Sequence, residues 1–246
     1  MTTYLTLDTA AGISVGVVRE NFGAVEVLAH ERSGDTRHHA EHLTPMVQAA
    51  LATAQISAPD TVVAGTGPAA FTGLRAGLVT ARTLATVWHV PIFGLSSLEV
   101  LALAGMDAGA NIAVPIIDAR RKEVYALRAR AMGPDDVEVL EPPRVLTAAA
   151  LADEIAHAPA VPIKHESDAE LYAEAFPDAM NIAVNPAVAV RLLLSRQARA
   201  DAGESSPATD FGTQPQYLRR PDVHSGAKAQ PPAEGNPYAL GGDSRH

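Results

Sequence analysis

Tyr4-Leu5-Thr6-Leu7-Asp8, the turn Ala10-Ala11-Gly12, the run Ile13 to Arg19, the turn Asn21-Phe22-Gly23 and the run Val25 to His30 follow one another directly. The first run alternates and ends on a carboxylate, which predicts a strand delivering Asp8 to a turn. Connections this short join antiparallel neighbours, so the three runs predict a meander.

Beyond the meander the period changes from two to about 3.6. Leu43, Met46, Val47, Ala50, Leu51 and Ala54 fall on one helical stripe after the candidate N-caps Asp35 and Thr36. Pro45 within the pattern predicts a kink, or a helix start nearer Leu43. Thr61 to Ala64 reads as a strand that enters the glycine-rich stretch Gly65 to Gly73, and a helix from about Thr72 to Trp88 follows. Its stripe is Leu74, Leu78, Ala81, Ala85 and Trp88. Pro91 to Leu95 reads as a strand, and Ser96 and Ser97 cap a third helix. A meander followed by alternating helices and strands gives a mixed sheet covered by helices.

The second half opens the same way, with strands expected at Ile112–Asp118, Glu123–Arg130 and Val137–Leu140. A helix near Thr147–Ala156, a strand around Val161–Ile163 and helices near Asp168–Ala175 and Pro186–Ala202 complete it. Two halves that both open on a meander predict a duplicated α/β fold with a cleft between lobes. The expected division is 1–105 and 106–220, with 221–246 a tail too rich in Gly, Ser and Pro to order itself.

The 246 residues include 19 Lys+Arg against 28 Asp+Glu, a formal charge of −9, with 47% apolar residues. An acidic chain is a poor stand-alone nucleic-acid binder, because phosphate neutralisation needs surplus cations. No cysteine is present, so disulfides, thiol nucleophiles and thiolate metal sites are excluded, and a reducing cytoplasmic location is expected. The N-terminus shows no basic and apolar leader pattern, and no run approaches the roughly 20 apolar residues of a membrane span.

Three segments imitate catalytic signatures. Gly65-Thr66-Gly67-Pro68-Ala69-Ala70 matches G-x-G-x-x-G/A between a strand and a helix. Pro68 removes one N–H from such a cradle, and no acidic residue lies about 20 positions on to hold a ribose. His38-His39-Ala40-Glu41-His42 matches H-x-x-E-H, with His38 and His42 on one helical face as metal ligands would be. The competing reading is the hydrated first turn of an amphipathic helix. Asp8-Thr9, a carboxylate and a hydroxyl in a small-residue turn, suits a metal–phosphate pair or simply the turn's own backbone.

Gly67-Pro68-Ala69-Ala70-Phe71-Thr72-Gly73-Leu74-Arg75-Ala76-Gly77 resembles the G-P-G-S-F-T-G-L-R-x-G hallmark of the TsaB (YeaZ) family. Leu7-Asp8-Thr9, the His39-x-Glu41-x-Leu43-x-Pro45 helix opening, Ser96-Ser97-Leu98-Glu99, Ile117 to Tyr125 and Pro215-Gln216-Tyr217-Leu218-Arg219 are similar to further family segments in the same order. Ala69 and Ala70 depart from the usual Gly and Ser, and Lys164-His165-Glu166 stands where the family has a glycine-containing turn.

The resemblance implies a two-lobed actin-like, Hsp70-like (ASKHA, ribonuclease-H-like) fold. It also implies a non-catalytic role in tRNA threonylcarbamoyladenosine formation, beside the transferase TsaD and the ATPase TsaE. The residues agree with a silent site. Glycines that let backbone approach a nucleotide are missing between Gly133 and Gly203. The metal-binding H-x-x-x-H of TsaD relatives aligns with Ser97 and Leu101. Asp8 and Thr9 would then be a vestigial phosphate site. No cofactor is expected in this chain, with ATP or ADP held by the partner or at the interface of the complex.

A surface must then carry the function. The expected interface with TsaD comprises His39, Leu43, Met46, Val47, Ala50, Leu74, Arg75, Leu78 and Ala81, half of a four-helix bundle. The same patch would form a homodimer when the chain is alone, and tRNA would be met indirectly through the complex. The alternative is that both stripes serve only the core. Arg120, Arg121 and Lys122 form the main basic run, a solvated loop or a contact for tRNA or an acidic partner; Arg219 and Arg220 share that ambiguity. Two other functions stay open: an actin-like phosphotransferase using Asp8 and Asp118 as metal-side carboxylates, and a metalloprotease using His38 and His42.

Overall fold

The opening meander is β1 (Thr2–Asp8), β2 (Ile13–Asn21) and β3 (Ala24–Ser33). The computed structural model describes residues 1–34, 39–168, 170 and 172–218. Asp35, Thr36, His38, Arg219, Arg220 and the tail 221–246 lie outside them. The chain continues with α1 (His39–Ala54), β4 (Thr61–Gly65), α2 (Phe71–Trp88), β5 (Ile92–Leu95) and α3 (Ser97–Asp107). The second half holds β6 (Ile112–Arg120), β7 (Glu123–Ala131), β8 (Val137–Thr147), α4 (Ala148–His157), β9 (Val161–His165), β10 (Met180–Ile182) and α5 (Pro186–Asp201). Two five-stranded sheets result, ordered β3-β2-β1-β4-β5 and β10-β9-β6-β7-β8, each antiparallel in its meander and parallel beyond it.

Strand alternation builds the layers. Val62 and Ala64 of β4 face α1 and α2, whereas Val63 between them faces the opposite side. In β6, Ala113 and Ile117 face the central layer while Val114 and Ile116 pack towards α4 and Phe176. The central layer is α3 with α5. Helix α3 is apolar almost all round and buried along most of its length, as a helix between two sheets must be. It packs on β6, β7, β8, β9 and β10, although it ends at the expected border between lobes, and α5 returns to pack on β1, β2, β3 and β5. Each lobe therefore receives a helix from the other half of the chain. Pro186 opens α5 directly on Gly16 of β2, where a Cβ would come within 2.3 Å of the proline ring.

Two expectations need correction, and of the two offered for Pro45 the later helix start is excluded. The helix expected at Asp168–Ala175 is a 3₁₀ turn at Glu166–Asp168 followed by irregular turns. Tyr172 has a positive φ of 53°, and its hydroxyl donates to Asp118 Oδ1 at 3.3 Å and the Glu123 carbonyl at 3.2 Å, a tertiary hook that overrides helical propensity. Strand β8 does not end at Leu140 but runs through Pro142 and Pro143, which an edge strand tolerates. Helix α1 begins at His39 and contains Pro45.

Candidate functional site

The turn after β1 is built to hold two side chains still. Asp8 Oδ1 accepts the Ala10 N–H at 2.7 Å. Its other oxygen lies against Gly65, where a Cβ would come within 2.3 Å. Burial pushes the Asp8 carboxyl up, and hydrogen bonding from Ser97, the Ala10 N–H and the nearby His165 oppose that. Thr9 is buried and donates its hydroxyl to the Gly73 carbonyl at 3.0 Å. Gly77 has no Cβ because Thr9 Oγ1 would stand 2.3 Å from it. The two glycines of the F-T-G-L-R-x-G stretch are thus where α2 closes over Thr9.

The glycine-rich loop is equally occupied by its own chain. The Thr66 N–H donates to the Leu95 carbonyl at 2.8 Å, the Gly67 N–H to Ser97 Oγ at 3.3 Å, and the Ser97 N–H back to the Gly67 carbonyl at 2.9 Å. The Gln216 N–H reaches the Thr66 carbonyl at 2.9 Å. These bonds fold the loop against α3 and the C-terminal strap and engage the N–H groups of Thr66 and Gly67 within the chain.

Between the lobes lies a cavity of about 60 Å³, with Leu7, Val63, Leu101 and Ile117 on its apolar walls and Asp8, Ser14, Ser97 and His165 at its polar end. That is room for a few water molecules. Ser14 Oγ is 2.9 Å from His30 Nε2, and burial and then Arg32 lower that imidazole to about 4, so it is neutral at pH 7. Ser167 ties the lobes together by donating to the Ala11 carbonyl at 2.7 Å, and Arg32 pairs with Glu166 beside it. Lys164-His165-Glu166, which stands where the family has a glycine-containing turn, is the start of this latch.

A second, smaller cleft gathers Thr9, Gly12, Ala70, Asp118, Arg120 and Asp168. Asp118 does not stand ready for a metal. Its Oδ2 is 3.1 Å from Arg120 Nη1, and its Oδ1 accepts the Arg120 N–H at 2.8 Å. Among the described residues no three His, Cys, Asp or Glu side chains gather as a metal set. Asp168 is pushed up to about 6, first by burial and then by the Asp118 charge, with Arg120 and Lys164 opposing. A folded value above the unfolded one of about 3.9 means the folded chain holds this proton more tightly. The group's stabilising contribution is full below about pH 4 and is lost as pH rises through about 6. Asp168→Asn should therefore raise the unfolding free energy at pH 7 by about 1 kcal/mol after solvent screening, with no gain at pH 4. Urea titrations at both pH values check this.

The expected partner residues divide sharply. Leu43, Val47, Ala50, Leu74, Leu78 and Ala81 are buried in the core beneath α1 and α2, and Met46 is half-buried against it. The apolar stripes are the sheet-facing ones, so the six buried side chains are not presented to a partner in this fold. This corrects the expectation, and its reason is general: the strongest apolar face of an outer helix covers its own sheet. Arg75 is exposed; His39 opens α1. The outward face of α2 carries Thr72, Val79, Thr83 and Val87, and that of α1 carries Pro45, Ala49, Ala52 and Thr53. Val79 and Val87 are 60% and 64% exposed.

The P-x-Y-L-R ending does not reveal its place in the fold from sequence alone. Residues 211–217 form a strap across the first lobe. The Gly94 N–H donates to the Phe211 carbonyl at 2.9 Å on the open edge of β5, and Arg82 Nε donates to Thr213 Oγ1 at 3.0 Å. Tyr217 then accepts from Arg75 Nε at 2.6 Å. The signal available was the pairing of an aromatic-rich ending with arginines spaced along α2.

The solved structure of YeaZ from Pseudomonas aeruginosa superposes with a TM-score of 0.66 at 28% identity, covering 89% of this chain and 100% of that one. The family described as "TsaD: tRNA N6-adenosine threonylcarbamoyltransferase" matches residues 26–181. The TsaB protein of Bacillus subtilis, named a tRNA threonylcarbamoyladenosine biosynthesis protein, is 32% identical over 126 residues. The chain belongs to the TsaB (YeaZ) family. The Bacillus subtilis match covers 50% of this chain and 53% of that protein. An uncharacterized protein of Mycobacterium tuberculosis is 40% identical over 141 residues, 54% of this chain and 64% of its own. The matched stretch thus spans less than two thirds of these relatives. The family fold is the two-lobed actin-like one, and two helix-covered sheets with α3 and α5 between them are its form here. Among the described residues no helix is long and apolar enough to cross a membrane.

Proposed function

We propose that this chain is an accessory subunit in tRNA threonylcarbamoyladenosine formation, docking on a TsaD-type transferase without performing the transfer. The observation that carries this reading is the outward face of α1 and α2. That face carries exposed Val79 and Val87 on α2 and small exposed residues (Ala49, Ala52, Thr53) on α1, two helices that pack on one another. Small and β-branched residues let two further helices approach closely, as a four-helix bundle requires. A stable interface of this kind buries more than about 1,000 Å².

Three features support the absence of chemistry in this chain. Asp118 is paired with Arg120, Thr9 donates to the Gly73 carbonyl, and the N–H groups of Thr66 and Gly67 are engaged within the chain. Asp8 and Thr9 are then the remnant of a phosphate site, and ATP or ADP is bound by the partner or at the interface of the complex. A TsaE-type ATPase joins the assembly, a homodimer through the same face forms when the chain is alone, and the working compartment is the cytoplasm.

Depletion of the chain should remove threonylcarbamoyladenosine from total tRNA, read by nucleoside mass spectrometry, and the tagged chain should bring down a TsaD-type protein. The purified chain alone should turn over no ATP. Threonylcarbamoyladenosine levels unaffected by depletion, or nucleotide hydrolysis by the chain alone, overturn the reading.

A further inference from the structure

Arg75 is an exposed cation on α2 that the chain holds still. Its guanidinium lies 3.7 Å from the centroid of the Phe71 ring, one turn back on the same helix. The Tyr217 ring, at the end of the strap, is 5.1 Å from Phe71 and 5.6 Å from the guanidinium. Arg75 Nε also donates to the Tyr217 hydroxyl at 2.6 Å. An arginine left to solvent samples many rotamers, and two aromatic rings with a hydrogen bond remove most of that freedom. Neither element that holds it supplies a counter-charge: α2 contains no Asp or Glu, and residues 211–217 contain none.

Arg75 also stands on the face proposed for docking. A helix turns about 100° per residue, so Arg75, Val79 and Thr83 follow one another at steps of about 40° along one outward stripe. All three are exposed, and Val87 continues the line. Phe71, Arg75 and Arg82, the α2 residues that meet the strap, fall within about 40° of each other. The strap therefore runs along one border of the docking face, and Arg75 belongs to both. A single immobilised cation at the end of an apolar stripe is the layout of a helix–helix contact whose register is fixed by one ion pair. A phosphate backbone calls for several cations, and that stripe holds one.

We propose that Arg75, clamped by Phe71 and Tyr217, receives an Asp or Glu side chain from the partner's helices, so that the strap completes the docking site. Tyr217 is then a positioning residue. With Nε taken by its hydroxyl, the terminal guanidinium nitrogens meet the carboxylate. Rigid placement spares the cost of ordering a long side chain on binding, which is worth about two- to tenfold in affinity. This inference rests on the accessory-subunit reading and names the chemistry that its docking face selects.

The test is calorimetry of the full chain against the TsaD-type protein of the same cell, at low and high salt. Arg75→Ala should weaken binding at least about tenfold and flatten its salt dependence. Arg75→Lys keeps the charge without the planar fork and should still weaken binding about fivefold. Tyr217→Phe keeps the ring and should cost about threefold in the parent but nothing in the Arg75→Ala chain. Replacing the partner's exposed acidic residues one at a time should find one whose loss likewise costs nothing once Arg75 is gone. If the stack serves only to fasten the strap, the urea midpoint of Arg75→Ala falls while affinity stays, and the proposal is overturned. An equal cost of Tyr217→Phe with and without Arg75, or no coupled acidic residue on the partner, overturns it as well. Val79→Asp abolishing capture while Arg75→Ala changes neither affinity nor salt dependence sinks this inference alone. A parent chain that binds no TsaD-type protein sinks the docking reading and this inference with it.

Discussion

Val79→Asp should abolish capture of a TsaD-type partner and leave the fold intact, while Leu78→Asp, one position earlier, should unfold the chain. The two side chains leave α2 about 100° apart. Leu78 is 3% exposed and packs beneath α1 and α2 with Leu43 and Leu74, so a carboxylate there loses the leucine's burial and adds an unpaired charge. Large-to-small change at such a site alone costs about 2–5 kcal/mol, and the buried charge adds several more, which approaches the whole stability of a domain. Val79 is 60% exposed, so Val79→Asp should stay within about 1 kcal/mol of the parent by urea unfolding. In a bundle interface the same carboxylate is desolvated against an apolar partner, and affinity should fall at least about a hundredfold by pull-down or calorimetry. If Val79→Asp combined with Val87→Asp still captures the partner, the outward faces of α1 and α2 are not the docking surface. If Leu78→Asp folds normally, the layer assignment is wrong.

This contrast also marks what the sequence carried. Apolar periodicity located α1 and α2 within a few residues, because a helix on a sheet must repeat its apolar face, whereas α3 was announced by the serines at its start. The same signal misassigned the partner face. Leu43, Leu74 and Leu78 are conspicuous in sequence because they fill the core, whereas an outer stripe of Ala, Thr and Val resembles any solvated helix. Asp8 and Thr9 were visible as a carboxylate and hydroxyl in a turn. That Thr9 would be consumed by the Gly73 carbonyl was not, since the partner lies 64 residues away. The neutralisation of Asp118 by Arg120 was in principle legible, two positions apart in one motif. It required knowing that the turn places Arg120 at a positive φ, which nothing in Arg-Arg-Lys announces.

Arg196→Ala should cost about 3–5 kcal/mol and lower the melting temperature by about 10 °C. Arg196 is 3% exposed on α5, between two acidic groups from different parts of the chain. Its Nε lies 3.0 Å from Asp136 Oδ1 in the β7–β8 turn, and its Nη2 lies 2.6 Å from Glu99 Oε2 on α3. Asp136 keeps a second cation, Arg199 Nη1 at 2.5 Å, and accepts the Val137 N–H at 2.7 Å. Glu99 is paired with Arg196, so truncation leaves a carboxylate in the middle layer with that counter-charge gone. The expected loss is mainly that uncompensated charge, not the strength of the pair itself. Arg196→Met with Glu99→Leu should therefore recover most of the stability, because the stranded charge is removed and the volume is refilled. A single Arg196→Ala within about 1 kcal/mol of the parent would show that water reaches this layer. Since α3 packs on the second sheet and α5 on the first, loosening their ionic tie should lower both lobes together, so calorimetry of Arg196→Ala should still show one transition rather than two.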